Sequence, residues 1–295
     1  MVKTSAPGSM MMFGEHSVLR NGHAIVLAID KRIHVTLDPR SDRLINIDSP
    51  LGQLVTSLDA LNVQPPFQYV LQTLRDFPPA TGLNITITSE MSPTMGFGTS
   101  SAVVVALLGG LMDLTNVEDT DLLFANALHI VRQVQGMGSG ADIIASIKGG
   151  IGLYQANPLL YQPLAIPVKL FAAYSGSKTP TPEVVKHVEA RFLDYPELLH
   201  DLDNANDTLT LEAAKYLSDA NGLGNLFNIG AGLMESFGVH TKELADFLWM
   251  LRNQSYGAKL SGSGLGDCAI GVVKDDTYPE GSFPITISPN GFRGN

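Results

Sequence analysis

The segment Pro93-Thr94-Met95-Gly96-Phe97-Gly98-Thr99-Ser100-Ser101 constrains this chain more than any other. Before it, Leu83, Ile85 and Ile87 alternate with Asn84, Thr86 and Thr88, the period of a half-buried antiparallel strand. After it, Ala102 to Leu114 is apolar nearly all round, the pattern of a central buried helix. A glycine-rich turn between the two aims backbone N–H groups outward, and the helix N-terminus adds about half a positive charge. Such a turn is a seat for phosphate, and the hydroxyls at its end can bond phosphate oxygens or a Mg²⁺ ion. The spacing is neither a Walker loop, since no Gly-Lys-Ser/Thr closes it, nor a dinucleotide Gly-x-Gly-x-x-Gly, since the third glycine is absent.

The rest of the first half reads as strands and helices around this turn. Ile33, Val35 and Leu37 alternate with His34 and Thr36, and Phe67, Val70, Leu71 and Leu74 have helical spacing. Gly109 and Gly110, inside the apolar helix, indicate close packing rather than a break. A helix is expected over 120–135, another from near Ser139 to Gly149-Gly150, then a strand from Ile151 to Tyr154. Asn157-Pro158 and the prolines at 163 and 167 mark a boundary, giving domains of 1–160 and 161–295. Beyond it, a strand is expected over 168–174. Thr181-Pro182 reads as the N-cap and first turn of a helix. Further helices are expected over 210–217, 225–237 and 241–252, and a strand over 269–273. Strand, helices, strand indicates a second α+β unit.

The chain has 295 residues, 44% hydrophobic and 16% charged, with a formal net charge of −10. An acidic surface argues against nucleic acid or an anionic membrane as partner, but leaves room for a nucleotide, whose phosphates are neutralised locally. The single cysteine, Cys268, permits no internal disulfide and suits a reducing cytoplasm. It reads as a packed core thiol. The N-terminus lacks the long apolar core of a signal peptide, and no apolar run approaches the ~20 residues that span a bilayer. A soluble, cytoplasmic protein is expected.

Three further motifs accompany the loop. Ala6-Pro7-Gly8-Ser9 leads through Met10 to Phe13 into Gly14-Glu15-His16; on local residues alone this is a first strand with a turn at Pro7-Gly8, but adjacent ionisable groups after a buried run often belong to a site. In Gly136-Met137-Gly138-Ser139-Gly140-Ala141-Asp142, the aspartate falls in the first turn of a helix. It is either a dipole-stabilising acid or a catalytic carboxylate kept ionised by the helix terminus. Lys259-Leu260-Ser261-Gly262-Ser263-Gly264-Leu265-Gly266-Asp267-Cys268 is a second glycine-rich turn, where backbone can approach a ligand closely and where Asp267 reads equally as a turn residue.

In this order, the four motifs resemble the GHMP kinase superfamily: its Ala-Pro-Gly-Lys…Gly-Glu-His opening, its Pro-x-x-x-Gly-Leu-Gly-Ser-Ser-Ala loop, and its Gly-Ala-Gly-Gly-Gly-Asp-Cys closing turn. Phe13 to Val18 and Gly232 to Val239 are most similar to the mevalonate kinase branch. Gly136 to Asp142 and Gly266-Asp267-Cys268 are shared with phosphomevalonate kinases. The resemblance implies an α+β fold with an N-terminal domain like ribosomal protein S5 domain 2 and a ferredoxin-like C-terminal domain. It also implies ATP and an alcohol acceptor, mevalonate or similar, in the cleft between them. By resemblance, Asp142 is catalytic and Ser100 binds Mg²⁺. Pro93, Met95, Gly96, Phe97, Gly98, Thr99, Ser100, Ser101, Ser263 and Gly264 hold the phosphates, and Glu15, His16, Ser139 and Thr181 hold the acceptor. The oligomeric state stays open, a homodimer included.

Two positions depart from the family. Ser9 stands where a lysine is expected near the transferred phosphate, and Val131 where a magnesium-binding Glu is expected, although Mg²⁺ requires oxygen ligands. Three accounts are open: Lys178 or another cation reaches in from the second domain; the metal is held by Ser100, nucleotide and waters; or the reaction is altered or lost. A phosphomevalonate kinase and a non-catalytic nucleotide sensor are the competing functions.

Overall fold

The computed structural model describes residues 1–92 and 96–294. Strand β1 (Val2–Phe13) runs antiparallel along most of β2 (Ala24–Pro39). Pro7-Gly8 is not a turn: it lies inside β1, where the register shifts between Pro7 and Ser9. Across this step β2 has two residues more than β1, so the pairing continues through an irregularity in β2 without ending either strand. The hairpin β3 (Leu44–Ser49) and β4 (Gly52–Ser57) follows, then α1 (Gln68–Asp76) and β5 (Leu83–Ser89). β5 pairs antiparallel with residues 33–39 of β2 and parallel with β3. Helices α2 (Thr99–Leu114), α3 (Thr120–Gln135) and α4 (Ala141–Lys148) lead to β6 (Ile151–Gln155), which pairs with residues 24–27 of β2, and to β7 (Leu160–Leu164) beside β6. Among the described residues these seven strands form one sheet.

Apolar on nearly every side, α2 packs against β1 and β2 in the middle of this half. The close packing expected at its glycines is present: the Phe292 ring occupies the space a Cβ on Gly109 would need, and Leu37 and Thr4 crowd Gly110. Phe292 belongs to the end of the chain, which returns to the first sheet. Ser5 and Arg293 exchange backbone hydrogen bonds of 2.9 Å. The buried Arg32 guanidinium donates to the carbonyls of Ser5 (3.0 Å), Asn290 (3.1 Å) and Gly291 (2.7 Å).

The second sheet has the order β11-β8-β10-β9, built from β8 (Leu170–Tyr174), β9 (Ser255–Leu260), β10 (Cys268–Val273) and β11 (Ser282–Pro284). Its helices are α5 (Thr181–Arg191), α6 (Pro196–Ala213), α7 (Ala220–Ser236) and α8 (Lys242–Asn253). Two expectations change here. Thr181 is the first residue of α5 rather than its cap, and Pro180 takes the cap position with no side-chain bond. The helix expected over 210–217 is the end of the much longer α6. The buried side of α6 carries Asp203, Asn206 and Thr210, so apolar periodicity does not reveal it. The segment 165–169 leads from β7 of the first sheet to β8 of the second. One apolar core runs through both halves, and Phe13 stacks on Phe227 at 4.9 Å between centroids. Among the described residues no helix is long and apolar enough to cross a membrane.

Candidate active site

The glycine segment delivers the chain to α2 through Gly98, whose φ of +61° lies in the left-handed region that favours glycine. Among the described residues no side chain caps α2, so the first backbone N–H groups, at Thr99, Ser100 and Ser101, face the cleft without intrahelical partners. A Cβ at Gly98 would collide with the Ser9 hydroxyl, so the loop and β1 touch at this point. The Ser9 amide also donates to the Phe97 carbonyl at 3.0 Å. Phe97 itself turns inward and packs edge-on against Phe283 at 6.0 Å, so it serves the loop through its backbone. Pro93 and Met95 lie outside the described residues.

Ser9 links the loop to the aspartate. Its Oγ donates to Asp142 Oδ1 at 2.8 Å, across 133 positions of sequence. Asp142 stands in the first turn of α4, behind Gly140, whose φ of +88° makes the sharp approach. Burial raises the Asp142 pKa above the usual carboxylate range, opposed by the Ser9 hydrogen bond and by the charge of Lys178. Ser139 lines the same cleft and accepts the Ala141 amide at 3.3 Å, while its carbonyl accepts the Tyr154 hydroxyl. Thr181 and Lys178 reach the cleft from the second half. Val131 lines it too, buried and apolar as its place on α3 requires.

The opposite wall joins the turn after β1 to the turn after β9. Glu15 and His16 are nearly inaccessible, at 2% and 3% exposure, which decides their roles. The Glu15 carboxylate is bonded to the Lys259 ammonium, which also donates to the Leu260 carbonyl at 2.6 Å and lies over the Phe13 ring. Burial pushes Glu15 up and Lys259 down, and each partner's charge opposes the other's shift. Glu15 lines the floor of the cleft, with Oε1 held by the Lys259 ion pair and Oε2 without a hydrogen-bond partner among the described residues. His16 has φ +65°, bonds the Ser263 carbonyl through Nε2 at 2.8 Å, and stacks on Phe237. Desolvation lowers its pKa to about 4, so it is neutral at pH 7 with Nε2–H donating, and Nδ1 has no partner among the described residues. Ser263 lines the cleft; Gly264 does not and is packed against Val239. The Cys268 thiol is buried and pushed up to about 12, an inert core group.

Sequence reasoning left Lys259 and Asp267 without a role. The one available signal was a lysine in an otherwise buried strand immediately before a glycine motif. The Asp267 carboxylate lies against Gly96, leaving no room there for a Cβ, and sits 3.6 Å from the Lys178 ammonium. A second, more apolar cavity adjoins the loop at Thr99 and Ser100, bounded by Phe67, Tyr69, Met91 and Val103. A flat apolar group could enter there with a phosphate chain on the loop and its far end at Asp142.

The family description GHMP kinases N terminal domain matches residues 67–150, and GHMP kinases C terminal matches 211–280. The chain is 32% identical to a mevalonate kinase of Archaeoglobus fulgidus over 98% of both chains, and 31% identical to one of Pyrococcus abyssi over 91% of this chain and 87% of that one. Its fold is similar to that of L. major mevalonate kinase in complex with R-mevalonate, with a TM-score of 0.76 and 22% identity over 98% and 96% of the two chains. The chain, with its two-domain α+β fold, belongs to the GHMP kinase family.

Proposed function

We propose that this protein transfers the γ-phosphoryl group of ATP to the hydroxyl of mevalonate. The observation that carries the reading is the hydrogen-bonded line from the glycine loop through Ser9 to Asp142, which puts a carboxylate beside the place where the phosphate chain ends. The adenine enters the cavity between α1 and the loop, and the phosphates lie along Gly96 to Ser101 on the α2 N-terminus. The acceptor lies between Asp142, His16, Ser139 and Thr181. Because Asp142 Oδ1 accepts from Ser9, Oδ2 is left to orient the acceptor hydroxyl and receive its proton. Neutral His16 offers Nδ1 as an acceptor to the substrate. Positioning and electrostatic stabilisation supply most of the rate.

The cleft suits a magnesium ion of the kind that keeps several waters. Ser100 and Asp267 present oxygens, and Asp267 Oδ1 is buried with no hydrogen-bond partner among the described residues. Bound there, the ion would neutralise charge on the phosphate oxygens. A second phosphate on the acceptor finds little support, because Lys178 is the one cation lining the cleft among the described residues.

ADP release measured with mevalonate, phosphomevalonate, galactose and homoserine tests the reading. Mevalonate should give a kcat/KM at least tenfold above the others. A preference for another alcohol would reassign the acceptor, and nucleotide binding with no turnover on any would make the protein a sensor.

A further inference from the structure

We infer that Lys178 is a catalytic residue that contacts the transferred phosphoryl group; this rests on the phosphotransfer reading above. The γ-phosphoryl group carries charge that spreads over its oxygens as it moves, and a fixed cation at that point lowers the barrier. The wall beside the loop supplies none, since Ser9 is uncharged and its hydroxyl is committed to Asp142. Lys259 is buried and held by Glu15 and the Leu260 carbonyl. Among the described residues lining the cleft, Lys178 alone remains, and it shares the cleft with both Asp142 and Gly98 to Ser101.

Its backbone is fixed and its side chain is partly exposed. Residues 175–179 are tied to the closing glycine turn by three bonds: the Ser175 amide to the Asp267 carbonyl (3.0 Å), the Asp267 amide to the Ser177 carbonyl (2.6 Å), and the Thr179 hydroxyl to the Leu265 carbonyl (2.7 Å). The ammonium stands 3.6 Å from Asp267 Oδ2, and the side chain is 40% exposed. That is a loose ion pair, short of direct hydrogen-bond distance, which an arriving phosphate oxygen can enter without stripping a buried charge. Asp267 in turn lies against Gly96, so the lysine is held toward the loop from the second half of the molecule.

Two measurements on Lys178→Met and Lys178→Arg test this. Calorimetry with Mg·AMPPNP and Mg·ADP needs no acceptor and therefore stands whatever alcohol the protein uses. Wild type and K178R should bind AMPPNP more tightly than ADP. K178M should lose that preference while its ADP affinity stays within about twofold, which also shows that it folds. In turnover with whichever alcohol wild type phosphorylates, kcat of K178M should fall about 100-fold, with K178R losing much less. An AMPPNP preference retained in K178M, or absent from wild type, would overturn the assignment, as would a K178M kcat within threefold of wild type.

Discussion

At the scale of residues, the proposed chemistry turns on Ser9 and Asp142. Asp142 is half-buried, desolvation raises its pKa, and the ionised form is the one that can receive a proton. The acid limb of the kcat/KM profile should therefore lie above the ordinary carboxylate range. Ser9→Ala removes a hydrogen bond that favours the ionised form, so Asp142 should hold its proton to still higher pH. We expect the limb to move up by about one pH unit, from the size of a hydrogen bond to a charged group; an unmoved limb in a pH–rate profile would show that Asp142 is not the titrating group. Asp142 was legible in the sequence because glycine turns and a first-turn acid leave a local signature. The Ser9 bond was not, because a contact across 133 positions leaves no trace in spacing. The same limit hid the role of Glu15. It reads as a site residue beside His16, and only the fold reveals the lysine that occupies it.

At the scale of elements, the parts with clean periodicity were readable: β2, β5, α2, α3 and α4. The parts whose buried positions are polar were not. In α6, Asn206 donates to the Glu15 carbonyl at 2.6 Å and Asp203 pairs with Arg20, so its inner face binds the turn after β1 while Leu209 and Ala213 alone carry it into the main apolar core. The hairpin β3–β4 has strands of only six residues each, β7 carries Pro163, and β9 carries Lys259 one residue before its end. The Lys259–Glu15 pair ties β9 to the end of β1. Lys259→Met leaves a buried carboxylate without its partner and should cost about 3–5 kcal/mol of unfolding free energy. Adding Glu15→Gln should recover part of that loss in urea denaturation; equal stability of wild type and K259M would show that the pair does not hold the two elements together.

At the scale of the whole molecule, the site exists only where the two sheets meet. The first sheet brings the phosphate loop, Ser9 and Asp142; the second brings Lys178, Thr181, Ser263 and Asp267. The returning chain end, clasped by Arg32 and Ser5, packs Phe292 on Gly109 of α2 and so ties the last residues to the first sheet and its central helix. The family relationship and the geometry agree on a kinase, and with Val131 apolar the proposed chemistry rests on the loop, Asp142 and Lys178. The most direct test of this account is the steady-state rate of Asp142→Asn with saturating Mg·ATP and mevalonate. We expect kcat to fall about 1,000-fold, within the range for loss of a positioned proton acceptor, with ATP affinity little changed. An Asp142→Asn enzyme within tenfold of wild type would contradict it.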